Sequence, residues 1–157
     1  MPRSRENSST KLALPFWNFG KTVFYLRLMA RILLVEDDLD NINLLTRLLT
    51  HHGHEIKVAD NAEAAFGEAE SFEPELILMD LELPATPDSP PHPNAGLDAT
   101  RRLKANEATA SIPVVALTAH TMAQHQEKIS DAGCDDFQEK PIFPFENLLE
   151  KIAKHTS

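Results

Sequence analysis

At 157 residues the chain has the length of one domain with room for a substantial core. A formal charge of −9 argues against a surface built for nucleic acid or an anionic membrane. The single cysteine, Cys134, excludes an intramolecular disulfide framework and fits a reducing, cytoplasmic compartment. No apolar run reaches the ~18 residues of a membrane span.

Charge is unevenly spread. Residues 1–28 carry five bases and one acid, a net of +4, so residues 29–157 carry −13. Five of the ten aromatics (Phe16, Trp17, Phe19, Phe24, Tyr25) also lie in the first segment. Pro15, Asn18, Lys21 and Arg27 interrupt its apolar stretch, and no small-residue cleavage site follows. The expectation is a non-core amino-terminal extension over 1–28, a translated leader without a folded role, and a folded unit over 29–157. A surface- or partner-binding segment and a targeting peptide are the alternatives.

From Met29 strand and helix signals alternate. RILLV (31–35) is a short apolar run closed by acids, as expected of a strand buried on both faces. Over 40–52, Ile42, Leu44, Leu45, Leu48 and Leu49 recur at helical spacing up to Gly53. HEIKVA (54–59) alternates as a strand. Asp60, three residues before Glu63, opens an alanine-rich helix to about Ser71. ELILM (75–79) is a second buried run, and a Pro-rich loop covers 84–93. The helix GLDATRRLKAN follows, then a strand over 112–118, a helix over 121–132, a short strand CDDFQ and a last helix near 145–155.

Five strands alternating with five helices predict a parallel sheet covered on both faces, with ligands at the carboxyl ends of the strands. Those ends carry Glu36, Asp37 and Asp38 after the first strand, Asp80 on the third and Thr118 on the fourth, with Lys140 after the fifth. Asp37, Asp38 and Asp80 at one edge would repel one another unless a cation sat among them, and a few hard oxygen ligands suit Mg²⁺. Lys140 supplies a compact positive charge for a phosphoryl oxygen, Thr118 a hydroxyl donor, and a carboxylate can act as phosphoryl nucleophile.

The segments ILLVEDD, LILMDLELP, PVVALTAH and DDFQEKP, in this order, resemble the receiver domain of two-component response regulators over about residues 30–155. The wording IPVVALTAH…DAGCDDFQEKPI is similar to stand-alone and hybrid-kinase receivers. The resemblance implies a flavodoxin-like (βα)5 three-layer sandwich with strand order 2-1-3-4-5. It makes Asp80 the phosphoacceptor, assisted by Lys140 and Thr118. Asp37, Asp38, Asp80 and the backbone carbonyl of Glu82 would hold Mg²⁺. Thr118 and Phe137 match the switch pair, and Glu82 and His120 occupy positions that tune the lifetime of the acyl phosphate. The implied phosphodonor is a histidine kinase or a histidine phosphotransfer protein. A downstream protein partner would read the 121–155 face, with no role for nucleic acid or membrane.

A stand-alone receiver in a phosphorelay is therefore expected, a signalling module rather than a turnover enzyme. A receiver fragment of a larger hybrid kinase or multidomain regulator is the alternative. An aspartate-nucleophile phosphatase of the haloacid dehalogenase type fits poorly: it needs a second aspartate two residues on, where Glu82 stands, and a cap domain for which the chain lacks room. His51, His52 and His54 read as helix-end histidines on the opposite edge from the acids, and Cys134 as a small buried residue. One departure is evident. The family usually places a glycine about eight residues after the phosphoacceptor, whereas Gly96 lies sixteen after Asp80, across the Pro-rich stretch ATPDSPPHPNA. This stretch is expected to be a stiff insertion that either overhangs the site or is a tolerated surface loop.

Overall fold

Apolar runs with a two-residue side-chain period can bury both faces of a sheet, and that is how these strands are used. A computed structural model describes residues 29–120 and 123–156, so the expectations for 1–28 and for Thr121 and Met122 lie outside the described residues. Strands β1 (Arg31–Val35), β2 (Glu55–Ala59), β3 (Leu76–Asp80), β6 (Val114–Thr118) and β7 (Asp136–Glu139) pair in parallel in the order β2-β1-β3-β6-β7. With the short strands β4 (Leu83–Pro84) and β5 (Pro91–His92) set aside as a separate ribbon, this is the expected 2-1-3-4-5 topology.

Helices α1 (Leu39–His51), α2 (Ala62–Phe72), α3 (Ala95–Ala105), α4 (Ala123–Asp131) and α5 (Glu146–Thr156) cover the two faces. Leu33, Val35, Ile77, Met79, Val114 and Ala116 point to the face packed by α2, α3 and α4. Their neighbours Ile32, Leu34, Leu76, Leu78, Val115 and Leu117 point to the face packed by α1 and α5. Fully burying each Leu, Ile or Val is worth about 1.5–3 kcal/mol, so the central strands are where the fold is held most firmly. Among the described residues no helix is long and apolar enough to cross a membrane.

Helix starts differ from the expectation by one residue in an instructive place. Asn61, not Asp60, caps α2: its side-chain oxygen accepts from the Ala64 N–H at 2.8 Å, while its amide donates to Asp60 at 2.7 Å. At the other edge the histidines behave as helix-end groups. The His52 ring nitrogen lies 2.8 Å from the Leu48 carbonyl, and the buried His54 accepts the Ala30 N–H. Burial and the nearby His52 hold His54 below the usual histidine range. Cys134 is half-buried, its thiol 3.8 Å from the Thr100 hydroxyl and pushed up to about 11 by burial, which disfavours the thiolate.

The Pro-rich segment is not a featureless loop. Leu83 pairs with His92 and Pro84 with Pro91 in an antiparallel ribbon, and Leu83 is fully buried. The Glu63 N–H, in the first turn of α2, donates to the Ala85 carbonyl at 2.9 Å. The Ser89 hydroxyl donates to the Thr86 carbonyl and accepts the Thr86 N–H, closing the tip. The ribbon thereby absorbs the additional chain and returns Gly96 to the end of β3, where its N–H donates to the Leu81 carbonyl. A Cβ at Gly96 would stand 2.2 Å from the Asp80 carbonyl oxygen and 2.6 Å from the Leu81 Cα.

Both clashing groups are backbone, so neither can rotate away. Gly96→Ala should therefore lower stability by about 1–3 kcal/mol through overpacking, a drop of several degrees in unfolding midpoint. Gly67, with open space around its Cβ position, is the control: Gly67→Ala should leave the midpoint unchanged or raise it. Thermal unfolding of the two variants checks the contrast.

Candidate functional site

Every strand of the parallel sheet ends on the same edge, and the loops there enclose a cleft of about 280 Å³. Glu36, Asp37 and Asp38 enter it after β1, Asp80 and Glu82 at and after β3, Thr118 and His120 after β6, and Lys140 after β7. The cleft thus gathers the expected site residues with the exception of Phe137. That ring is half-buried against the face packed by α2, α3 and α4, with the Lys151 ammonium 5.7 Å from its centre.

The Lys140 ammonium lies 2.9 Å from Glu36 Oε2 and 3.3 Å from Asp80 Oδ2. Its position is fixed from the backbone as well, because the Lys140 N–H donates to the Thr118 carbonyl at 2.7 Å. Burial opposes the charge on Lys140, but the Asp80 and Glu36 carboxylates more than offset it and hold the ammonium above the usual lysine range. The other Asp80 oxygen, Oδ1, accepts the Glu82 N–H at 3.2 Å. Burial pushes the Asp80 carboxyl up to about 7, reinforced by Glu36 and resisted by Lys140. Asp37 is raised for the same first reason, burial, with Glu36 adding to it.

The acids divide differently from the sequence expectation. Carboxylate oxygens of Glu36, Asp37 and Asp80 lie within 4.8 Å of one another, the one such group among the described residues. Asp38 is not part of it. Its Oδ1 accepts the Asn41 N–H at 2.9 Å as the cap of α1, and its own N–H donates to Glu36 Oε1 at 3.2 Å. Asp38, expected among the metal ligands, thus stands apart from the cluster with its carboxylate on a helix end, and the acid that joins Asp37 and Asp80 is Glu36, which is 1 % exposed. Three convergent carboxylates form a hard oxygen donor set suited to Mg²⁺.

Thr118 is buried at the end of β6, and its hydroxyl is engaged within its own loop. It donates to the His120 carbonyl at 3.2 Å and accepts the His120 N–H at 3.0 Å. Glu82 and His120 are both exposed at the rim. Sequence reasoning missed one further rim residue, His125, and left open whether the Pro-rich insertion reaches the rim. His125 lies edge-on to His120 with ring centres 5.3 Å apart, and burial followed by His120 holds it below the usual histidine range. Pro91 and Pro93 of the ribbon line the cleft from the other side. Five residues separate His120 from His125, which is no helical repeat, so the sequence carried no local signal for it; that the insertion reaches the site was among the expectations, but the pairing that brings it there is one no local pattern announces.

A buried carboxyl held near 7 stabilises the fold only when protonated. In the unfolded chain it ionises near 3.8, so the penalty on the fold opens as pH rises above that value and is complete above about 7. Asp80→Asn should therefore raise the unfolding midpoint by several degrees in metal-free buffer at pH 8, with the gain shrinking toward pH 4. Thermal unfolding across that range checks both the sign and the window.

Known proteins resemble this chain in sequence and in fold. The response regulator receiver domain family model matches residues 32–153. The polar-differentiation response regulator DivK of Brucella anthropi is 34% identical over 111 residues, covering 71% of this chain and 84% of that protein. The hybrid signal transduction histidine kinase I of Dictyostelium discoideum is 33% identical over 136 residues, but the match spans only 7% of its length. Among solved structures, the receiver domain of sensor histidine kinase PA1611 from Pseudomonas aeruginosa PAO1 superimposes with a TM-score of 0.67 at 29% identity, covering 81% of this chain and 96% of that one. That structure holds a magnesium ion coordinated in its active site cleft. Vibrio cholerae CheY4, at 20% identity and a TM-score of 0.71 over 82% of this chain and 99% of its own, shares the fold. The chain belongs to the response regulator receiver domain family.

Proposed function

We propose that this protein takes a phosphoryl group onto Asp80 from a phosphohistidine, carried by a histidine kinase or a histidine phosphotransfer protein, and passes the signal to a protein partner. The observation that carries this reading is the Asp80 carboxylate set between the Lys140 ammonium and a cluster of two further acids. An Asp80 oxygen attacks phosphorus as the P–N bond breaks, and the bond pair stays with the departing imidazole nitrogen, which then takes up a proton. Lys140 keeps Asp80 available as the anion and follows the charge onto a phosphoryl oxygen. Glu36, Asp37 and Asp80, with the Glu82 carbonyl, would hold Mg²⁺, which when bound neutralises charge on the transferring group. Glu82 and His120 stand where they govern the approach of water to the acyl phosphate. The single cysteine supports a reducing, cytoplasmic setting. Nothing in the cleft favours a turnover phosphatase, since Glu82 replaces the second aspartate such chemistry requires.

Thr118 and Phe137 are the proposed switch. To donate to a phosphoryl oxygen, the Thr118 hydroxyl must release the His120 carbonyl, which draws the 118–120 loop inward. The space left behind β6 admits the half-buried Phe137 ring from the neighbouring strand. The face made by α4, β7 and α5 then changes shape, which a partner can read as a shift between two states.

With Mg²⁺ and acetyl phosphate, the protein should gain one acid-labile phosphoryl group, lost in Asp80→Asn and on chelation of the metal. Intact-mass measurement decides, and undiminished labelling of Asp80→Asn would overturn the assignment. Thr118→Ala should retain much of the labelling while losing most of the amide-shift response near Phe137 that beryllofluoride induces in the parent. A full parental response would show that the coupling runs elsewhere.

A further inference from the structure

The Pro-rich arm between β3 and α3 has no part in the chemistry above, yet it is built rather than merely tolerated. Leu83 anchors it in the core, the Ala85 carbonyl is held by the Glu63 N–H, and Thr86 and Ser89 close its tip. Prolines 84, 87, 90, 91 and 93 fix the backbone φ along it. Its returning strand borders two spaces. Pro91 and Pro93 line the cleft that contains Asp80, while His92 between them lines a separate cavity with Phe66 and Arg102. The arm therefore stands as a partition between the cleft and that second cavity, held in place by its Leu83 anchor and the bonds at Ala85 and at its tip rather than by packing behind it.

Size decides what such a wall acts on. A cleft of about 280 Å³ admits a small acyl phosphate whole. A protein donor enters differently: it inserts one imidazole and must lay its surface against the rim. Prolines on that rim offer no N–H donors and do not bend away. We propose that the arm is a donor-selectivity wall, which restricts the phosphohistidine proteins that reach Asp80 and leaves small phosphodonors unimpeded. This rests on the phosphoacceptor reading of Asp80 given above.

The test compares the parent with a variant shortened within 85–93 and with the double substitution Pro91→Gly, Pro93→Gly. Each is phosphorylated by acetyl phosphate with Mg²⁺, and separately by a phosphohistidine-bearing phosphotransfer domain from an unrelated relay. Acetyl phosphate labelling should stay within about twofold across the three proteins. Transfer from the protein donor should rise about fivefold or more on shortening, and in the same direction for the double substitution. If shortening disturbs the Gly96 contact and the variant unfolds, the double substitution, which leaves the Leu83 anchor and the Ala85 bond in place, decides alone. Equal changes with both donors, or an unchanged protein-donor rate, would overturn the wall. A parent that takes no phosphoryl group from acetyl phosphate would instead overturn the reading of Asp80 on which the wall depends.

Discussion

Three carboxylates and one ammonium share the carboxyl edge of the sheet, and the arithmetic of their charges governs what surrounds them. Lys140 reaches both Glu36 and Asp80, but one positive charge cannot balance Glu36, Asp37 and Asp80 together. Burial is what pushes up the carboxyls of Asp37 and Asp80, and the neighbouring Glu36 adds to it at both, so an unbalanced charge is costly in this half-enclosed space. A divalent cation closes the gap. A phosphoryl group on Asp80 would then put about two negative charges where the carboxylate carried one, and reopen it. On the proposed reading, that renewed imbalance is what would draw neighbouring donors toward the phosphoryl group.

The fold delivers this tension to its reporters by short routes. The Lys140 N–H to Thr118 carbonyl bond ties the ends of β6 and β7, so the loop bearing the hydroxyl and the loop bearing the ammonium are joined through the backbone. Glu36 joins them to the first helix, since its carboxylate accepts from Asp38 at the cap of α1 while it holds Lys140. Phe137 lies one strand away from Thr118, within the packed face rather than in the cleft. The proposed readout therefore lies beside the cleft without lining it.

Much of this was legible in the sequence, for a physical reason. Strands buried on both faces, such as RILLV and ELILM, are apolar throughout, and parallel strands must bring their carboxyl ends to one edge. Asp80, Thr118 and Lys140 could be placed there without coordinates. The division of labour among Glu36, Asp37 and Asp38 could not, because three consecutive acids look alike until the backbone assigns one to a helix cap. Asp38 has the extended conformation and the free N–H of Asn41 within reach; Glu36 is carried inward by the strand. The same ambiguity moved the cap of α2 from Asp60 to Asn61. The ribbon was hidden for another reason: Leu83 and His92 pair across a proline-rich tip, and proline composition reads locally as loop.

The described chain enters and leaves on one side of the sheet. Ala30, just ahead of β1, is bonded to His54, and the His155 ring near the end of α5 lies 3.0 Å from Asp136 at the start of β7. Both contacts sit at the amino ends of the strands, the edge remote from Asp80. Both points of attachment therefore lie at the edge away from the cleft. The converse is equally structural: news of phosphorylation reaches such a junction only by crossing the height of the sheet, about 17 Å for a five-residue strand.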